Sequence, residues 1–148
     1  MYQKYQDGLI NAINAITTVA IKAEQYFGEL EKPQEGNFLK GSLPIIYIDF
    51  IQDDTSKPTT IDIEFSLYIV HIAYSKNKAT RITARTEIHE LLKAVYKQLA
   101  FKPIEDSEPI EFKKLRKIYD ASTAGGYVTI YQKEILLSVP NPILKGEF

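Results

Sequence analysis

The sequence predicts an α+β fold, in which two main helices pack on one face of a mostly antiparallel sheet of four to five strands. Two kinds of apolar pattern predict it. In several segments apolar and polar residues alternate, as in half-buried strands, and in two others apolar residues recur every three or four positions, as in amphipathic helices. The predicted order is α-β-β-β-α-β-β. The 148 residues suit a single domain spanning 1–148.

The two helices are predicted over residues 5–19 and 79–99, because each segment has an apolar stripe at helical spacing. The first stripe comprises Leu9, Ile10, Ile13, Ile16 and Ala20, and the second comprises Ile88, Leu91, Leu92, Val95 and Leu99. β-branched residues at 17–19 weaken the first helix at its end. The second helix is expected to end before Pro103.

Two long strands are predicted side by side over residues 43–51 and 61–74, with a polar turn at 53–58 between them. Along the second strand apolar residues alternate with Asp62, Glu64 and Ser66 until position 68. From Tyr68 to Tyr74 both faces become apolar. We therefore expect this end of the strand to be covered on both sides, by a helix on one and by another subunit on the other.

The remaining segments predict a short strand at 21–27 and two later strands at 112–119 and 127–139. Pro140 and Pro142 stop the last strand, since proline has no donor for the ladder. Glycine and proline punctuate loops at 28–42 and 102–111, and two glycines mark a tip within 121–126. The first loop is long for a compact domain, and such loops are often functional.

The composition is that of an ordinary globular protein, with 45% hydrophobic and 25% charged residues. The absence of cysteine excludes disulfides, thiolate zinc sites and thiol catalysis, and it fits a cytosolic origin. The N-terminal residues lack the basic start and apolar core of a signal peptide. No apolar run approaches the length of a membrane span, so no association with a membrane is expected.

Charge is distributed unevenly along the chain, although the net charge is only −1. Residues 1–74 carry five lysines and ten acidic residues, which gives −5, and residues 75–148 carry thirteen basic and nine acidic residues, which gives +4. Such opposite charges neutralise each other within one fold. If they lie on different faces, they also guide head-to-tail contacts between subunits.

No catalytic, cofactor or metal site is predicted. His89 is followed four residues later by Lys93, which lacks the second histidine of a helical zinc motif. Asp49, Asp62 and Glu64 lie on neighbouring strands and could hold Mg²⁺, as in a small nuclease. Acidic residues that alternate along an antiparallel strand are more typical of a solvated face, so the nuclease is kept only as an alternative.

Two basic clusters and several strand tyrosines are the candidate surface residues. The clusters comprise Lys76, Lys78, Arg81 and Arg85 at the start of the second helix, and Lys113, Lys114, Arg116 and Lys117 near a late strand. Both could contact phosphates. Cations on an exposed strand also discourage stray sheet pairing. Tyr68 and Tyr74, which pair a large ring with a polar tip, suit a protein interface.

The order of the apolar segments resembles that of a known family. An amphipathic helix and a short strand precede the apolar strand Leu43–Phe50, and a long strand ends in Val70–Tyr74. A helix carrying Glu87–Val95 and a strand carrying Gly126–Gln132 follow. This arrangement, over nearly the whole chain, resembles the small Mu-like phage tail proteins, the family of the conserved Mu protein 37.

The resemblance implies a tail terminator or tail-completion protein without chemistry of its own. Its subunits would form a ring, with six as the expected number, that caps the tail tube and contacts the sheath or neck. DNA would only pass through the lumen, and one of the basic clusters would face the lumen or a neighbouring subunit. The protein would be assembled in the bacterial cytoplasm and reside in the virion tail. A head–tail connector or other neck subunit is the alternative of the same class.

Overall fold

The computed structural model describes residues 2–32, 44–73, 78–123 and 126–141, apart from the side chains of residues 80 and 81. Seven helices and strands follow one another in the predicted order. They are α1 (Tyr2–Asn14), β1 (Lys22–Gln25), β2 (Ile45–Asp54), β3 (Thr60–Ala73), α2 (Lys78–Leu99), β4 (Glu111–Thr123) and β5 (Gly126–Pro140).

The five strands form one sheet in the order β1-β2-β3-β5-β4. The pairs β2–β3, β3–β5 and β5–β4 are antiparallel, and β1 pairs with β2 in parallel. The α+β class and the mostly antiparallel sheet are therefore confirmed. β1 and β4 lie at the two ends of this order, so each has one side without a strand of this sheet.

One face of the sheet packs against both helices, as predicted. Leu9 and Ile13 of α1 and the apolar stripe of α2 meet the odd-numbered residues of β3 in one continuous core. From β3 this core takes Ile61, Ile63, Phe65, Leu67 and Ile69, none of which is more than 2% exposed. Each such side chain stabilises the fold by about 1.5–3 kcal/mol relative to full exposure.

A second, smaller core lies on the helix-free face. It joins Tyr47 of β2, Val70 of β3 and two residues of β5 to Leu30, which follows β1. The ring of Tyr26 lies 5.1 Å from that of Tyr68. The same chain therefore supplies part of the cover on this face, and the cover by another subunit stays a prediction. Tyr74 lies outside the described residues. Burial, with Glu29 and Glu24 nearby, raises the pKa of Tyr47 to about 12.

The bounds differ from the prediction at several places. α1 ends at Asn14 rather than at 19, and the Asn14 side chain bonds to the backbone of β1. β2 continues to Asp54, into the predicted turn, and β4 continues to Thr123, into the predicted tip. Of the predicted 28–42 loop, residues 33–42 lie outside the described residues.

Candidate functional site

The outer strand β4 is the most exposed long strand of the sheet. Every residue from Lys113 to Ile118 is exposed, including Leu115 at 38% and Ile118 at 44%. This segment contains the four cations of the second predicted cluster: Lys113, Lys114, Arg116 and Lys117. We call residues 113–118 the basic edge.

The inner side of the basic edge is held by Lys133 of β5. This lysine is only 8% exposed, and its Nζ donates a hydrogen bond of 2.7 Å to the Lys113 carbonyl. The ammonium also lies 5.1 Å from the ring centre of Tyr96 and 5.5 Å from that of Phe112. Burial lowers the pKa of Lys133. Sequence reasoning missed this residue, because a lysine in a strand gives no sign of burial.

The two predicted basic clusters meet at Asp120 of β4. Arg85 of α2 lies 3.4 Å from the Asp120 carboxylate, and Lys117 lies 3.2 Å from it. The buried Thr129 hydroxyl donates to the same carboxylate at 2.9 Å. Arg85 and Lys117 are therefore partly neutralised within the chain. Their aspartate partner was not singled out from the sequence, since it is distant from Arg85 along the chain.

The other members of the clusters differ in their surroundings. Lys113 pairs with Glu111 at 2.7 Å, and Arg116 donates to the Gln132 side chain at 2.7 Å. Among the described residues, Lys114 has no ion-pair partner. At the start of α2, Lys78 is exposed. The other members of the first cluster, Lys76 and the Arg81 side chain, lie outside the described part of the chain.

An acidic segment lies on the opposite side of the sheet. β1 pairs with β2 only from Ile45 to Ile48, and β2 continues alone on that side from Asp49 to Asp54. We call residues 49–54 the acidic edge; it carries Asp49, Asp53 and Asp54. Ile51, 40% exposed, lies at a register shift between β2 and β3. Burial raises the pKa of Asp49.

The carboxylates of the nuclease alternative do not converge. In the β2–β3 register Asp49 lies opposite Ser66, whereas Asp62 lies opposite Asp54. Asp62 pairs with Lys57 at 2.9 Å, which holds the pKa of Asp62 below its usual range. Among the residues that the structure describes, no group of three or more histidine, cysteine or acidic side chains could hold a metal ion.

A groove of about 330 Å³ lies between α2 and the connector that follows α1. Its lining is mainly apolar, with Val19, Pro44 and Leu91, and also includes Glu87 and Glu90. Glu87 accepts a 2.8 Å hydrogen bond from Nε2 of buried His71, so one of the two carboxylates is already bound to the sheet.

The comparisons with known proteins add no family to this picture. No family model and no curated protein matches this sequence. Within the described ranges, neither helix has the length and apolar character needed to cross a bilayer. On the evidence of burial and strand pairing, the candidate site consists of the basic edge and the acidic edge, at the two sides of one sheet.

Proposed function

We propose that this protein is a structural subunit that assembles head to tail into a closed ring, and that the ring terminates the tail tube of a phage. The observation that carries the ring is the opposite charge of the two sheet edges. The place of the ring in a virion is supported by the resemblance of the sequence to the Mu-like tail proteins.

The opposite charges of the two edges favour head-to-tail association into a ring. A head-to-tail contact joins one surface of a subunit to a different surface of its neighbour, and it closes into a ring when the rotation allows. The basic edge repels another basic edge, and the acidic edge repels another acidic edge. Only a contact between unlike edges is attractive, so charge selects head-to-tail association over two-fold dimers.

The basic edge keeps a free charge for such a contact. Lys114 has no ion-pair partner among the described residues, and the ion pair of Lys113 with Glu111 is solvent-exposed. Exposed pairs contribute little to stability, about 0–1 kcal/mol each, and so can be exchanged for a partner's carboxylate at low cost. At the acidic edge Asp53 accepts a hydrogen bond from the Tyr2 hydroxyl and Asp54 accepts one from the Ser56 amide, and each carboxylate has further lone pairs for a partner's cation.

The experiment is a native mass measurement of the purified protein, followed by its addition to polymerising tail-tube protein of a Mu-like phage. We expect a single ring species, with six subunits as the leading expectation, and tubes that stop growing once the ring is bound. A ring that leaves tube length unchanged would contradict the terminator role. A ring that binds neck protein but not tube ends would favour the connector alternative.

A further inference from the structure

We infer that the ring contact, which rests on the proposed function, is a pairing of strands that continues the sheet from one subunit to the next. In this arrangement the basic edge of β4 lies beside the acidic edge of β2 in a second copy of the chain. Main-chain hydrogen bonds would supply affinity, as in other cases where a strand is added to an open sheet edge.

Neither edge is paired with a described strand on its outer side, although Gln6 of α1 donates a 3.0 Å hydrogen bond to the Ile48 carbonyl at the start of the acidic edge. Beside β2, the pairing with β1 ends at Ile48, whose carbonyl accepts the Tyr26 amide at 2.9 Å. Among the described residues, no strand lies next to Asp49–Asp54 on that side, and none lies outside β4. Each edge is six residues long. At about 3.3 Å per residue, each spans roughly 20 Å, so the two edges match in length.

The side chains of the two edges are complementary. Four cations of the basic edge would face three carboxylates of the acidic edge. Both edges also expose apolar side chains, with Ile51 on one and Leu115 and Ile118 on the other. Burying these side chains against each other adds about 25 cal/mol for each Å² removed from water. Charge would select the partner, and apolar contact would stabilise the pair.

The features that protect β4 from aggregation are consistent with this contact. The register of β4 with β5 shifts twice, between Phe112 and Leu115 and between Lys117 and Tyr119. The bulges interrupt the edge for any partner strand, so the choice of partner rests on charge. Lysines on an edge strand repel further copies of the same edge and attract an acidic strand. The same residues therefore exclude the two-fold β4–β4 contact and leave the head-to-tail contact open.

Cross-linking tests the pairing directly, because the chain has no cysteine of its own. Gln52 and Arg116 are exposed, and their register partners Glu64 and Gln132 lie on the helix-free face of the sheet. A chain with both Gln52→Cys and Arg116→Cys is treated with a short bismaleimide. We expect a ladder of covalent multimers up to the ring size, because each contact places one cysteine near the other.

The two single-cysteine chains are the matched controls, and both are expected to remain uncross-linked. Dimers formed by Arg116→Cys alone would reveal a two-fold β4–β4 contact and overturn the inference. If the wild-type protein forms rings but the double-cysteine chain gives no ladder, the strand pairing is wrong, whereas the proposed ring stands. A ladder from rings that do not cap tubes would support the pairing and contradict only the terminator role. A chain that stays monomeric would overturn both.

Discussion

The side-chain amide of Asn14 takes the place of a strand beside Ala23. Its Nδ2 donates to the Ala23 carbonyl at 3.0 Å, and its Oδ1 accepts from the Ala23 amide at 2.7 Å. Both outward backbone groups at the middle of β1 are thereby satisfied. On this side of the sheet the end of α1 closes β1. The start of α1 reaches the acidic edge of β2, where the Tyr2 hydroxyl donates to Asp53, and no described strand lies beside that edge.

Replacing Asn14 by alanine removes both of these hydrogen bonds. Ala23 is buried, so its backbone groups would lose their partner where water has little access. We expect Asn14→Ala to reduce the free energy of unfolding by about 1–3 kcal/mol, measured by urea denaturation. Asn11→Ala, an exposed asparagine of the same helix, is the control and should change stability by less than about 0.5 kcal/mol. Equal effects of the two substitutions would contradict the role of Asn14.

Gly8 allows α1 to approach the loop before β4. A methyl group added at Gly8 would lie 2.6 Å from the Ile104 Cγ2 atom, which is too close for a carbon contact. Helix propensity alone favours alanine by about 1 kcal/mol. Because overpacking outweighs this gain, we expect Gly8→Ala to destabilise the protein by about 1–3 kcal/mol in thermal or urea unfolding.

The Ile104 methyl group that an added Cβ at Gly8 would contact can be removed in a double variant. In an Ile104→Ala background the Cγ2 methyl is absent, so Gly8→Ala should become neutral or stabilising there. The double-mutant cycle measures this coupling between the two positions. A Gly8→Ala cost that is the same in both backgrounds would show that the close approach to Ile104 is not its cause.

Acid should weaken the cluster around Asp120. Burial by itself would raise the pKa of Asp120, but hydrogen bonds from Thr129, Lys117 and Tyr127 outweigh it and hold this pKa below its ordinary value of 3.8. The folded state then binds fewer protons than the unfolded state. The stabilisation is complete above pH 3.8 and is lost as the pH falls through the lowered value.

The matching variant is Asp120→Asn, which keeps the shape and removes the charge. At pH 7 we expect it to be less stable than wild type by about 1.5–3 kcal/mol, since it weakens hydrogen bonds to a charged group. This difference in the free energy of unfolding should shrink as the pH is lowered below 3.8. Urea denaturation at a series of acidic pH values measures it. A stability difference that stays constant to the lowest pH would contradict the lowered pKa of Asp120.

Phe101 has a backbone conformation that aromatic residues seldom adopt. It is the second residue after α2, with φ of 60°, and it is 90% exposed. Glycine is the usual residue at such a helix end, because a Cβ is unfavourable there. We expect Phe101→Gly to stabilise the protein by about 0.5–1 kcal/mol in urea. Phe101→Ala keeps the Cβ and should have almost no effect; equal gains from both would contradict the strain.

The fold could be predicted from the sequence because each long element carries its own apolar period. The alternation in β3 and the stripe of α2 both face the observed core. The end of α1 could not be predicted so well. Its helical spacing continues to Ile16, but the helix stops at Asn14, whose side chain is bonded to the backbone of Ala23. Local periodicity carries no information on that contact.

The candidate site could be predicted only in part. The four cations of the basic edge were visible as a cluster, and the structure places them along one exposed strand. The acidic edge was not recognised, because it depends on where β1 stops beside β2. The pairing of Arg85 with Asp120 was likewise hidden, since it joins α2 to β4 across the fold. The contact of Tyr26 with Tyr68 was not predicted either, because it joins segments that are distant along the chain.

The head-to-tail ring is tested most directly by the native mass of an equal mixture of two charge-reversed chains. One carries Lys113→Glu, Lys114→Glu and Arg116→Glu, which makes its basic edge net negative, and the other carries Asp53→Lys with Asp54→Lys, which makes its acidic edge net positive. Each alone presents two edges of like charge and should remain below the ring mass. In the mixture every contact can join unlike edges again, so the wild-type ring mass should return, most completely at low salt. Full-sized rings from either variant alone, or no ring from the mixture, would contradict the account.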